Sequence, residues 1–155
     1  MTVDQVLVRQ YRPSDRDAVL LLAPRLQIGV ASWRDPTAVG SAVAGWIEES
    51  LDHSADADRA VQVAVASDEI VGVVTTGQRQ HFTGEVDAYV GELVVKAGSE
   101  RRGIGTLLLR AAEQWALGRG LRRLTLETGA ANSSARAFYS RGGYQEEDVR
   151  LTKAL

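Results

Sequence analysis

Apolar positions along this chain switch between a period of two and a period near 3.6, and each switch marks a new element. Val6 to Gln10 reads as a first strand, closed by Tyr11-Arg12-Pro13. Ser14 or Asp15 then caps a short helix carrying Val19, Leu20, Leu21 and Leu22, which Pro24 breaks or restarts. Ile28 to Pro36 reads as loop. Val39, Val43, Trp46, Ile47 and Leu51 fall near one face of a helix from about Thr37 to Leu51. After the polar run His53 to Arg59, Val61 to Ala66 and Ile70 to Thr76 predict a hairpin turning at Ser67-Asp68-Glu69. A connection over Gln78 to Glu85, bent at Thr83-Gly84, leads to a third strand from Ala88 to Val95.

The second half alternates differently. Ile104, Leu107, Leu108, Ala111, Ala112 and Trp115 repeat at helical spacing, so a helix is expected from about Gly105 to Leu117, ended by Gly118 and Gly120. Leu124 to Thr128 reads as the next strand. Strand, helix, strand in that order implies a parallel pair with a crossover helix. Asn132 caps a last helix to Arg141, Gly142-Gly143 terminates it, and Tyr144 and Val149 to Leu155 supply closing strands. The expected fold is α/β: a mixed sheet, antiparallel in its N-terminal strands and parallel later, flanked by helices.

Composition narrows the classes. At 155 residues the chain fits one domain spanning 1–155, with no repeat and no Pro/Gly linker to divide it. A formal charge of −2 argues against nonspecific nucleic-acid binding, which needs a basic surface. The absence of cysteine excludes disulfides, thiolate metal sites and a cysteine nucleophile, and fits a reducing cytoplasm. No run of about eighteen apolar residues predicts a membrane span, and Met1-Thr2-Val3-Asp4-Gln5 lacks the plan of a secretory signal. His53 and His81 read as surface residues without clustered partners, so no metal site is expected.

Candidate chemistry begins at Arg101-Arg102-Gly103-Ile104-Gly105-Thr106, between a strand and a helix. A helix start offers unpaired N–H groups and the positive end of a dipole. Glycines remove the Cβ atoms that would hold phosphates away, and the two arginines add charge at the mouth. A plain glycine-capped helix is the alternative reading. A Rossmann loop lacks its third glycine here, and a Walker loop its Gly-Lys-Ser/Thr.

Glu100-Arg101-Arg102-Gly103-Ile104-Gly105 resembles the Gln/Arg-x-x-Gly-x-Gly/Ala motif of the GNAT family of N-acetyltransferases, except that Glu100 stands where Gln or Arg is usual. Asn132, Ala135, Phe138-Tyr139 and Gly143-Tyr144 are similar to that family's Asn-x-x-Ala-x-x-Phe-Tyr…Gly-Phe/Tyr pattern, so the likeness covers about Val90 to Tyr144. The resemblance implies acetyl-CoA as cofactor and transfer of its acetyl group to an amine. It implies that the strand before the cradle splays from its neighbour and binds the cofactor through Leu93, Val94 and Val95. The Leu93 N–H would polarise the acetyl carbonyl and Val95 would pair with the pantetheine arm. Asn132 would also touch that arm.

The resemblance also points to Glu92, the carboxylate of that strand, as the group beside the acceptor amine. At about 4.3 a glutamate lies roughly six units below an alkyl ammonium at about 10.4, so a raised pKa or a water chain is needed. Tyr139 is the candidate acid for the leaving thiolate, a phenol near 10 facing a thiol near 8.5. Tyr89 stands nearby in the same strand, Glu127 faces either cleft or solvent, and Trp33 lies in the loop where the family binds acceptors. The Arg150-Leu151-Thr152-Lys153-Ala154-Leu155 segment resembles closing strands of small-molecule acetyltransferases, which ranks a small amine above a protein lysine or N-terminus. Many members form homodimers. Two rivals stay open: a noncatalytic acyl-CoA sensor and a nucleotide-binding domain.

Overall fold

The structure, a computed structural model, describes residues 5–155. Among the described residues five strands form one sheet in the order β1-β2-β3-β4-β5: β1 (Leu7–Gln10), β2 (Ala60–Ala66), β3 (Glu69–Gln80), β4 (Val86–Val95) and β5 (Leu124–Leu126). Every pair is antiparallel except β4 with β5, which is parallel. The crossover between those two is helix α3 (Ile104–Gly118). Helices α1 (Arg16–Leu20) and α2 (Pro36–Asp52) precede β2, and α4 (Ser133–Arg141) follows β5. The mixed α/β architecture is the one expected.

Each sheet face packs its own core. Val19, Leu22, Ile47 and Leu51 from the first helical layer cover Val61, Val63, Val73 and Val94. Ile104, Leu108, Leu109 and Ala112 of α3 cover Ala64, Val71, Val74 and Val90 on the other face. Leu108 is fully enclosed, so Leu108→Ala is expected to lower stability by about 3 kcal/mol, read as a fall in thermal midpoint of roughly 6–12 °C.

The boundaries differ from expectation where polarity hid the geometry. β3 runs on to Gln80 because Gln78, Arg79 and Gln80 keep pairing with Ala88, Asp87 and Val86, a ribbon projecting past the core with polar side chains. Only residues 81–85 are left to connect it to β4. Ser67 and Asp68, at φ 48° and 61°, make a two-residue turn with the hand of the strands. Trp46, expected near the core face of α2, is 53% exposed, since Val43, Ile47 and Leu51 fill that face.

The closing strand over Val149 to Leu155 does not form; that segment is exposed and without regular structure. β5 pairs over three residues and offers a short outer edge. The acidic start of the tail is drawn elsewhere, Glu146 to Arg136 and Glu147 to His81 beside the β3–β4 turn.

Asp15, read as a possible cap, is instead a buried anchor. It accepts two bonds from Arg9, at 2.7 and 2.9 Å, and one from the Arg12 N–H at 2.8 Å. The Arg9 bonds hold its carboxyl below the ordinary value against the pull of burial. A depressed folded pKa gives stability that is present above the unfolded value near 3.9 and lost as pH falls through the folded one. Asp15→Asn is therefore expected to lower the thermal midpoint at pH 7 and to leave a smaller difference from the parent below about pH 3.

Candidate active site

The site is built on a mismatch between β4 and its two neighbours. β5 pairs with β4 only at Ala88, Tyr89 and Val90, so the last five residues of β4 have no strand partner on that side among the described residues. On the other side the register jumps from Val74↔Leu93 to Thr76↔Val90, which sets Gly91 and Glu92 against Thr75 alone: a β-bulge. The bulge reverses which way the backbone points. Ala88 N–H reaches Arg123 O beside β5, whereas Glu92 N–H and Lys96 N–H both reach β3, to Thr75 Oγ1 and Val71 O. By strand alternation the N–H groups of Leu93 and Val95 then face the gap next to β5.

The same bulge sorts the side chains. Leu93 and Val95 pack against the core that α3 covers, as do Phe138, Tyr139 and Tyr144, while Val94 belongs to the α1–α2 core. Glu92 shares the face of Val94 and is 5% exposed. Its Oε2 accepts from Ser50 Oγ of α2 at 2.8 Å and from Thr75 Oγ1 of β3. Burial pushes this carboxyl above the ordinary range, and the two hydroxyls pull it back only in part.

Tyr139 stands on the opposite face, edge-on to Tyr144 at 5.8 Å and against Phe138 at 5.2 Å. Burial alone pushes its phenol up to about 12. That corrects the close match expected between a phenol and a thiol. The phenol is a donor at every physiological pH, and full transfer to a thiol of ordinary pKa is uphill by about 3.5 units. A thiol buried beside it is raised as well, which narrows the difference.

Tyr89 and Glu127 lie together on the Glu92 side. Arg79 stacks over the Tyr89 ring at 3.5 Å and pairs with Glu127 at 3.1 Å. Burial, then the Glu127 charge, raises the Tyr89 phenol. Trp33 is 68% exposed in its loop and makes no aromatic or hydrogen-bonded contact with these groups among the described residues. Ser50, Thr75 and Arg79 were not foreseen. Paired threonines at 75 and 76, directly after the apolar run Ile70 to Val74, were the available signal.

The helix start of α3 differs from those of α2 and α4. Asp35 caps α2 by accepting from Ala38 N–H at 2.9 Å, and Asn132 caps α4 by accepting from Ala135 N–H at 3.2 Å. Gly103, the α3 cap, sits at φ 74° and offers no side chain; the first backbone bond of the helix is Leu107 N–H to Gly103 O. The N–H groups of Ile104, Gly105 and Thr106 thus have no acceptor among the described residues. A Cβ on Gly103 would meet no atom within 4 Å, so this side is open. Arg101, at φ 62°, and Arg102 are exposed at its mouth and form no ion pair among the described residues. These groups fit a pyrophosphate.

At Gly105 a Cβ would make ordinary contact with Phe138 Cζ at 3.4 Å, so α4 lies directly against the start of α3. Ile104 contributes its backbone only, since its side chain is core. Glu100 turns from the cradle, accepting from Arg25 at 2.8 Å and from Gly98 N–H at 2.7 Å. Backbone N–H groups, its own foremost, and then Arg25 hold its carboxyl low, so the departure from the motif puts no free charge at the helix start. Both ends of the Asn132 amide are occupied, by Ala135 N–H and by Ile28 O at 3.4 Å. A Cβ on Gly29 would overlap Asn132, and one on Gly129 would overlap the Gly29 carbonyl, so the two loops cross in direct contact.

Residues 27–144 match the model of the Acetyltransferase (GNAT) family. The chain belongs to this family. Curated relatives agree: it is 27% identical over 147 residues to an aminoalkylphosphonate N-acetyltransferase of Salmonella typhimurium, covering 85% of this chain and 93% of that one. It is 32% identical over 105 residues to an aminoglycoside N(6′)-acetyltransferase of Klebsiella aerogenes, covering 64% and 68%. Among solved structures, a PaiA N-acetyltransferase of Thermoplasma acidophilum with coenzyme A superposes at TM-score 0.75, with 18% identity over 94% of this chain and 93% of that one. An aminoglycoside N-acetyltransferase with a bisubstrate analogue superposes at 0.70, with 20% identity over 97% and 99%. As a GNAT member the chain is an acetyl-CoA-dependent N-acetyltransferase acting on amines. No group of three or more His, Asp or Glu residues among those described is arranged to hold a metal, and no described helix is long and apolar enough to cross a membrane.

Proposed function

We propose that this GNAT chain, a single domain over 1–155, acetylates the primary amine of a small molecule by direct attack in a ternary complex. Glu92 acts as base and Tyr139 as acid. The observation that carries the reading is Glu92 itself: a carboxylate raised by burial, tied through one oxygen, at the point where β4 leaves β5. The named substrates of the curated relatives, an aminoalkylphosphonate and an aminoglycoside, support a small acceptor over a protein one.

When bound, acetyl-CoA supplies the activated acyl group. The α3 N-terminus with Arg101 and Arg102 would hold its pyrophosphate, Val95 the amide arm and the Leu93 N–H the acyl oxygen. Glu92 receives the proton of the acceptor nitrogen, through water where the reach requires it, and its raised pKa shortens the gap of roughly six units. Tyr139 offers its O–H to the departing sulfur from the other face. Tyr89, Arg79 and Glu127 line the acceptor's approach. An acceptor with both charges can meet Arg79 and Glu127 together, and Trp33 is a further candidate for its contacts.

The test is acetyl-CoA-dependent thiol release against aminoglycosides, aminoalkylphosphonates, polyamines and lysine peptides. Turnover with one small-amine class supports the reading. Turnover confined to peptides removes the small-molecule assignment, and binding of acetyl-CoA with no release across the panel favours a sensor.

A further inference from the structure

The two hydroxyls on Glu92 are more selective than its burial requires. Thr75 faces the bulge, and its Oγ1 accepts the Glu92 N–H at 2.9 Å, an amide that the bulge has removed from the ladder. The same hydroxyl gives its single hydrogen to Glu92 Oε2. A Cβ on Gly91 would lie 2.9 Å from Thr75 Oγ1, so glycine keeps this seat open. Ser50 approaches from α2 and donates to that same Oε2 at 2.8 Å. Among the described residues Oε1 accepts no bond, and it is not one of their enclosed unpaired atoms, which are Gln62 Oε1 and Thr76 Oγ1.

We propose that Ser50 and Thr75 are positioning residues that saturate Glu92 Oε2 and leave Oε1 as the one oxygen able to take the acceptor's proton. The inference rests on the base assignment of Glu92 and deepens it. One hydroxyl comes from the helix layer and the other from the sheet, so together they fix the carboxylate plane as well as its place. They also favour the ionised form, the form a base must start from. Other groups facing the carboxyl are Glu49 of α2, Arg59 before β2 and Tyr89 of β4. Glu49 and Arg59 approach each other at 3.8 Å and act on Glu92 in opposite directions, which leaves burial as the main push upward and the two hydroxyls as the main pull against it.

The experiment combines two readouts on the full chain. Carbon-13 NMR titration of glutamate carboxyls, with Glu92→Gln assigning the signal, gives the midpoint directly and needs no acceptor. The kcat–pH profile, with acetyl-CoA and the best amine of the panel, reports the consequence. Ser50→Ala and Thr75→Val are each expected to raise the midpoint by about 1 unit and move the acid limb of kcat with it, while Thr75→Ser restores both. Should Thr75→Val not fold, Ser50→Ala carries the test from the helix side. If Glu92→Gln turns over like the parent, the base assignment falls and the proposal with it. If Glu92→Gln is slow but the Ser50→Ala midpoint and limb overlay the parent's, the positioning alone is overturned.

Discussion

Glu92→Gln is expected to lower kcat by about 10²- to 10⁴-fold with little change in KM for acetyl-CoA. The amide keeps the shape of the carboxylate and an oxygen for Ser50 and Thr75, and loses only the basic Oε1. Stability is expected to move the other way. Because burial raises the folded pKa above the unfolded value, the favourable contribution of Glu92 is present below that unfolded value and lost as pH rises through the folded one. Burial penalises a charged form that glutamine does not have, so as pH rises the variant's thermal midpoint should come to equal or exceed the parent's. A slow variant that is also unstable would point to a packing role for Glu92.

Tyr139→Phe comes second, with kcat lower by about 10²-fold at each pH between 6 and 9. The drop should be uniform, because a phenol pushed up to about 12 does not titrate in that window. Phenylalanine retains the contacts with Phe138 and Tyr144, so the thermal midpoint should stay within a few degrees of the parent's. An alkaline limb present in the parent and absent in the variant would mean that the phenol titrates far lower than its burial dictates.

Periodicity made the layers legible. Val61 and Val63, Leu108 and Ala112, Val43 and Ile47 all lie buried in their predicted elements. The open start of α3 was also readable, since a helix start without a side-chain cap needs only the glycine that the sequence shows at 103. What sequence did not disclose depends on register. The bulge at Gly91-Glu92 decides which residues of β4 face Ser50 and which face Tyr139, and a one-residue offset in pairing leaves no mark in composition. Ser50 is one polar residue beside an apolar stripe, and Arg79 lies in a stretch whose polarity reads as loop. The absent closing strand is the converse: an alternating segment without a long edge to pair with stays exposed.

Initial velocities measured over both acetyl-CoA and the best amine test the central claim most directly. Direct transfer in a ternary complex predicts double-reciprocal lines that intersect. The chain has no cysteine to carry an acyl group, which already weighs against a covalent enzyme intermediate. Parallel lines, with acetyl retained on the protein after acetyl-CoA alone, would contradict the account.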